Sequence, residues 1–583
     1  MKKKILLIAA LALTACLLAG CALPTFLLAF TSRQVESKGN DVPMVEEPTH
    51  TDSEVYEAYE MDGAAMAMMP ASGGFYMATP DFNTEEYASV AENGFRKVAT
   101  DPLSTFSADV DTASYCNLRR MLNDGWYAGE IASGAVRVEE MLNYFRYDYP
   151  APQDGSKFGV TAQLAPCPWN GKNMLLLLGV RAADAPQAAE DGSNLVFLVD
   201  VSGSMASENK LELVKKALTM LVDELTDADT VSIVTYASGE DVLIEGASPV
   251  KDKAKLLTAI DSLYANGSTN GERGLEQAYE IAQKNLRPNG NNRVIMCSDG
   301  DLNVGMTSQS DLHDYVSRKK ETGIYLSVLG FGDGNYKDTK METLADDGNG
   351  NYYYIDSILE ARKVLCEELT QTLYSVADDV KFQIEFNPAK VSAWRQIGYE
   401  NRALENQDFE DDKKDAGEVG AGACVTVMYE LVPAGEDGAQ SGLKYQDSTL
   451  TEAGQSGEWA TLSTRYKEPG DSQSQLETTV IGEDAITDTP SGDFMFASAV
   501  AEFGMILTDS EHKGDSSYET VLALLKQAPL SDAYREEFFS LVTSVVINYV
   551  ISQLIRNFNR LFDTLTKNFD KIFSPQTLLR VLA

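Results

Sequence analysis

Between residues 194 and 375 the chain alternates short apolar runs with amphipathic segments, and this alternation restricts the fold more than any other feature. NLVFLVD, from Asn194, is apolar without interruption, as expected for a strand buried on both faces. KLELVKKALTMLVDEL then places Leu211, Val214, Leu218, Leu221 and Leu225 on one helical face. DTVSIVTYA, RVIMCSD and IYLSVLGFG repeat the strand pattern, and DVLIEGASPV predicts a strand at an edge. KDKAKLLTAIDSL, GERGLEQAYEIAQKNL and DLHDYVSRKKETG predict helices, and a helix from Ser357 to Leu373 closes the segment. Such alternation predicts an α/β fold with a doubly wound, mostly parallel sheet, whose ligands lie at the carboxyl ends of the strands.

Those strand ends carry oxygen ligands. DVSGSM, at Asp200 to Met205, follows the first strand; ANGSTNGE, with Thr269, lies between a strand and a helix; SDGD, with Asp299, ends RVIMC. An all-oxygen set of Asp200, Ser202, Ser204, Thr269 and Asp299 favours a hard cation, Mg²⁺ first, with Mn²⁺ or Ca²⁺ as alternatives. Other chemistries find no support. His50, His313 and His512 lack zinc-ligand spacing, and no CxxC occurs. Lys and Arg number 48 against 88 Asp and Glu, so a net charge of −40 repels nucleic acid. Ser207-Glu208-Asn209-Lys210 matches SxxK without its SDN and KTG companions, and reads as the first turn of a helix. DGDLNVG fails as an EF-hand because position twelve is Ser310.

Asp200-Val201-Ser202-Gly203-Ser204, with Thr269 and Asp299 in order on matching elements, resembles the metal-ion-dependent adhesion site of von Willebrand factor A (VWA) domains. The resemblance implies hydroxyl ligation by Ser202, Ser204 and Thr269. Asp200 and Asp299 then act often through water, and a partner's Glu or Asp completes the coordination. It also implies that a shift of the closing helix tunes the site. The alternative is a cation that only supports folding.

The ends read differently. MKKKILLIAALALTACLLAGC is a secretion signal, and Leu18-Ala19-Gly20-Cys21 resembles a lipobox with Cys21 as the acylated residue. Leu13-Thr14-Ala15-Cys16 fits more loosely, and Ile5 to Phe30 is also long enough for an uncleaved anchor. Either places the body outside the cytoplasm. Residues 22–95 form a low-complexity stalk; its Met-rich MDGAAMAMMPASGGFYM suits Cu(I) but is read as linker. Cys116, Cys167, Cys297, Cys366 and Cys424 make no disulfide framework; buried thiols are expected, with a Cys116–Cys167 bridge left open. Phe538 to Ile555 is uncharged, and an amphipathic pattern with Arg556, Arg560, Lys567 and Lys571 follows. That tail, 541–583, suits a membrane surface, a partner, or packing against the body.

Residues 96–190 combine helices with a strand pair, FGVTAQLAPCPWN and KNMLLLLGVRA; residues 376–480 alternate as strands; residues 481–540 read as helical. One discontinuous β-sandwich is expected, with the metal module of 191–375 inserted in it. STFSADVDTASY, RVEEMLNYFRYDYP, IGYENRAL, FEDDKKDAGEVGAG and SGDFMFASAVAEFGM resemble bacterial extracytoplasmic proteins of the YfbK type. Asp109-Val110-Asp111-Thr112 matches a phosphatase nucleophile loop, but STFSA makes a poor buried strand. The two Asp are expected to cap a helix starting near Thr112.

The expected function is therefore a non-enzymatic, lipid-anchored envelope protein. It binds a protein ligand's acidic residue through a divalent cation, with no small-molecule cofactor. The alternatives are a structural envelope protein with an incidental cation, and a hydrolase using Asp109 or Ser207.

Overall fold

The computed structural model describes residues 91–108, 111–184, 192–237, 239–267, 271–288, 290–300, 309–332, 338–368, 374–414, 416–435 and 450–572. Cys21, Cys16, the stalk as far as residue 90, Asp109 and Thr269 lie outside them.

The chain opens with β1 (Arg96–Lys97) and β2 (Leu103–Ser107), then α1 (Ala113–Asn123) and α2 (Val138–Tyr144), then the antiparallel pair β3 (Phe158–Pro166) and β4 (Met174–Ala182). β2 is buried along most of its length and pairs with a later strand, so STFSA is a core strand after all. Its polar atoms are satisfied: Ser104 Oγ lies 3.0 Å from the Tyr429 hydroxyl, and Thr105 Oγ1 donates to Asn406 at 2.9 Å. Paired hydroxyls can be buried at little cost. α1 starts where expected, but Thr112 is its N-cap and makes no side-chain cap bond. Asp111 instead accepts a 3.0 Å bond from Arg402.

The central module follows as β5 (Ser193–Asp200), α3 (Leu211–Glu224), β6 (Thr230–Tyr236), β7 (Glu240–Ala247), α4 (Lys253–Asp261), α5 (Gly271–Lys284), β8 (Asn291–Ser298), α6 (Gln309–Lys320), β9 (Tyr325–Phe331), α7 (Asp338–Asp347), β10 (Tyr352–Ile355) and α8 (Ile358–Arg362). Its sheet order is β10-β9-β8-β5-β6-β7, parallel except for β7 at one edge. Every residue of β5 and β8 is buried, because helices cover both faces. Of the closing helix expected over Ser357 to Leu373, residues 369–373 lie outside the described residues, and the described part is not regular throughout. After α8 the backbone widens into a π turn, Lys363–Glu367, with Glu368 N–H bonding the Lys363 carbonyl at 2.8 Å. Lys363 is buried there and pairs with Glu368 at 2.9 Å, which a regular turn would not bring together.

The strands after the module are β11 (Ser375–Phe386), β12 (Val391–Ile397), β13 (Gly417–Gly420), β14 (Cys424–Pro433), β15 (Ala460–Lys467) and β16 (Ser474–Ile481). They complete two sheets, β1-β12-β14-β4-β3 and β13-β11-β15-β16 with β2 on β11. The inner faces share one core, including Leu176, Leu178, Phe382, Ile384, Val427 and Leu462. The module thus enters from β4 of one sheet and leaves into β11 of the other, as an insertion in a discontinuous sandwich.

Three helices end the described chain: α9 (Gly492–Leu507), α10 (Tyr518–Leu525) and α11 (Ala533–Ile572). α9 is buried nearly all round, and with α1, α2 and the start of α11 it fills a core continuous with one face of the module. Arg119 of α1 is the charged centre of this region. Its guanidinium is 1% exposed and binds Asp356 with two bonds of 2.8 and 2.5 Å, Glu360 at 2.9 Å and Glu537 at 2.8 Å. One side chain thereby joins α1, the end of the module and α11. Cys116 and Cys167 are buried and unbridged, so the pairing left open by the sequence is not made. Burial pushes both thiols up, Cys167 to about 12, which leaves them protonated and inert.

Candidate metal centre

Sheet order decides where a site can form. The connection after β5 runs to β6 on one side, while β8 lies on the other. The crevice at the carboxyl ends of β5 and β8 is therefore the switch point of the sheet, where ligands of such folds bind. Asp200 is the last residue of β5, and Asp299 immediately follows β8. Their residues are 0% and 2% exposed.

The loop after β5 is held by its backbone. Val201 N–H donates to the Tyr236 carbonyl at 3.0 Å, and Gly203 N–H to the Gly267 carbonyl at 3.1 Å. Asn266 N–H returns a 2.7 Å bond to the Val201 carbonyl. The first loop is thus stitched to the segment between α4 and α5, so the Thr269 loop, expected between a strand and a helix, joins two helices instead. Asp200 Oδ1 accepts from Ser202 N–H at 2.9 Å, and Oδ2 from Ser298 Oγ at 3.4 Å. Ser202 is buried, Ser204 half-buried and Gly203 exposed, so the cluster opens to solvent through Ser204.

Ser202 Oγ and Ser204 Oγ lie 3.0 Å apart. Adjacent oxygens of an octahedral ion with ligands at ~2.1 Å are also about 3.0 Å apart, so the two hydroxyls fit neighbouring positions around Mg²⁺. Burial pushes the Asp200 carboxyl up to about 6, and the negative charge of Asp299 adds to the rise against the lowering by Ser202. Such a pair favours a cation beside it. Four of the five ligand residues read from the sequence therefore converge, and the fifth, Thr269, lies outside the described residues.

Lys210 was missed as a member of this cluster. Its Nζ donates to Asp299 Oδ2 at 2.9 Å and to the Ser204 carbonyl at 3.0 Å. Its stem lies against Gly332, after β9, where an added Cβ would meet Lys210 Cε at 2.2 Å. A signal was present in the sequence. Lys210 caps the N-terminus of α3, where the helix dipole disfavours a positive charge unless an acid faces it. The SxxK reading fails here, because Ser207 is exposed while Lys210 turns inward to Asp299.

A second group of ligand-type atoms belongs elsewhere. Cys116, Asp356 and Glu360 have such atoms within 4.8 Å of one another, but the Arg119 guanidinium bonds both carboxylates.

Comparison with known proteins agrees with this architecture. Residues 194–365 match the family described as von Willebrand factor type A domain. Residues 81–177 match one described as von Willebrand factor, and 371–547 one described as "Uncharacterized protein YfbK, C-terminal". The chain therefore carries a VWA domain, a fold that commonly serves as a metal-dependent protein-interaction module. It is 39% identical over 503 residues to the protein YfbK of Escherichia coli (strain K12), covering 85% of this chain and 86% of that one. It belongs to the YfbK family of bacterial VWA proteins. Over 174 residues it is 27% identical to inter-alpha-trypsin inhibitor heavy chain H3 of Mesocricetus auratus, covering 28% of this chain and 19% of that one. Among solved structures, a von Willebrand factor type A protein from Catenulispora acidiphila is similar at 15% identity and a TM-score of 0.37. That match covers 68% of this chain and 91% of that one. Proximal thread matrix protein 1 from the mussel byssus, with a zinc-occupied site, is similar at 22% identity and a TM-score of 0.26. It covers 32% of this chain and 46% of that one.

Proposed function

We propose that the β5 and β8 loops, with Thr269, hold one divalent cation of the Mg²⁺ class, and that a carboxylate of a protein partner completes its coordination. The observation that carries this reading is the convergence of Asp200, Ser202, Ser204 and Asp299 at the switch point, with the two hydroxyls 3.0 Å apart at an opening to solvent. The bound ion supplies an electrophilic position for an anionic oxygen. The protein's own residues do the rest. Ser202 and Ser204 present hydroxyl oxygens, and Asp200 and Asp299 balance the charge from behind. Tyr264, 76% exposed on the loop that bonds Gly203, offers an aromatic contact at the rim.

Acylation at Cys21 would tether the protein to a membrane and hold the module outside the cytoplasm. Metabolic labelling with a fatty-acid analogue, lost in Cys21→Ser, tests the tether. Crosslinked capture from native envelopes tests the recognition, with the full chain and Thr269→Ala as baits in Mg²⁺ and in EDTA. A partner retained only by the wild-type chain in Mg²⁺ supports the reading. The same partners in all four lanes would assign binding to the sandwich, whose strand β16 exposes Leu476 and Val480.

A further inference from the structure

α11 runs for 40 residues, yet its two halves meet different surroundings. Phe538 and Val542 are fully buried against α1, α2 and α9, and Val545 is 8% exposed. From Ile547 onward the burial stops. Leu554, Ile555, Phe558, Leu561 and Phe562 are each 55–61% exposed. The YfbK C-terminal match also ends at residue 547.

At 100° per residue, Ile547, Val550, Ile551, Leu554, Ile555, Phe558, Leu561 and Phe562 fall within an arc of about 140°. Arg556 and Arg560 lie on the opposite side. This arc is wider than the seam of a two-stranded coil, and Ile555 and Phe562 occupy flanking positions that such a coil gives to charges. The helix is also unsuited to spanning. Ala533–Phe562 is long and apolar enough by composition, but its first half is core and its second half carries two arginines. From Phe538 to Phe562 the sequence has those two Arg and no acid, in a chain of net charge −40. A broad apolar face with aromatic side chains, backed by basic residues, matches a helix lying in a lipid interface.

We propose that residues 547–562 form an in-plane membrane-binding element. It sinks its apolar arc into the acyl boundary of an anionic bilayer, with Arg556 and Arg560 at headgroup level. The element holds the body to the bilayer at a second point, independent of the cation site and of acylation at Cys21. Both of those readings can fail without affecting it.

The test uses the full chain carrying Phe558→Trp, with the parent chain's fluorescence subtracted so that the signal reports position 558 alone. Vesicles of phosphatidylcholine are compared with vesicles of phosphatidylcholine and phosphatidylglycerol at roughly 7:3. The expected result is a blue shift with the anionic vesicles and quenching by lipids brominated near the headgroup. Arg556→Gln with Arg560→Gln, on the side opposite the apolar arc, should weaken that response at least about fivefold. An unchanged indole signal from the Phe558→Trp chain with both vesicle types would overturn the proposal. So would a blue shift that grows with protein concentration without lipid, since a second copy would then cover the face.

Discussion

The Arg119 clamp and the loop cluster at Asp200 both gather carboxylates in dry surroundings, and they differ in what balances them. At the clamp a guanidinium 1% exposed meets Asp356 and Glu360 with near-ideal bonds and reaches Glu537 at the edge. Asp356 and Glu360 are nearly dry there, and Glu537 reaches solvent. At the loops a lysine reaches one oxygen of Asp299, while Asp200 is served only by a backbone N–H and hydroxyls. The clamp is a closed, structural use of buried charge. The loop cluster reaches solvent at Ser204, as a site for an exchangeable cation must. Glu139 is an acid that no cation among the described residues pairs with. It is buried, no described group hydrogen-bonds its Oε2, and burial with the charges of Glu400 and Glu140 pushes it up to about 8.

Breaking the clamp should have the largest effect. Arg119→Met leaves Asp356 and Glu360 buried without their partner, and should cost about 3–5 kcal/mol. Calorimetry should show a large fall in the thermal midpoint with or without Mg²⁺. A midpoint within a degree of wild type would mean that the clamp is not structural.

Thr269→Ala tests the open cluster. It should leave stability without metal nearly unchanged but remove the stabilisation by Mg²⁺, about 2.7 kcal/mol at a hundredfold excess over the dissociation constant. Thermal melts in Mg²⁺ and in EDTA read both arms. A midpoint that still rises with Mg²⁺ in the variant would count against the ligand set.

The Glu139 carboxyl has the sign expected of burial. Its folded value lies above the unfolded value of 4.5, so the folded state holds the proton more tightly between those limits. Its contribution is fully present below about pH 4.5 and is lost as pH rises toward 8. Glu139→Gln should remove this slope and raise stability at about pH 8, by on the order of 2 kcal/mol. Parallel pH profiles of wild type and variant would contradict the assignment.

Lys210→Met sharpens the comparison at smaller scale. Without the ammonium beside Asp299, Mg²⁺ affinity should rise at least about fivefold, because a like charge is removed from beside the ion. Weaker affinity on calorimetric titration would instead make Lys210 a positioning residue for Asp299. Tyr264→Ala should leave Mg²⁺ affinity alone and weaken partner binding about tenfold.

Much of this was legible in the sequence because it is local. Uninterrupted apolar runs announced β5 and β8, and the oxygen residues that follow them lie at the carboxyl ends of those strands. The insertion in a sandwich was readable from β3 and β4 before the module and the alternating strands after it. What escaped depends on distant partners. β2 looked too polar for a core because Tyr429 and Asn406, which satisfy its hydroxyls, lie some three hundred residues away. Asp111 looked like a cap because Arg402 was out of view. Lys210 looked like an ordinary first turn until β8 brought Asp299 beside it. The division of α11 was hidden for the same reason. Periodicity shows two apolar stripes on opposite sides of α11, Phe538 with Val542 and Val545 on one and the arc from Ile547 on the other, but only the packing of α1, α2 and α9 shows that the first alone is covered.

The cation site is tested by a calorimetric titration of Mg²⁺ into the full chain and into Thr269→Ala, each stripped of metal beforehand. One saturable binding event is expected in the wild-type chain and none in the variant. No saturable event in the wild type, or the same event in both, would contradict the assignment of these loops as a cation site.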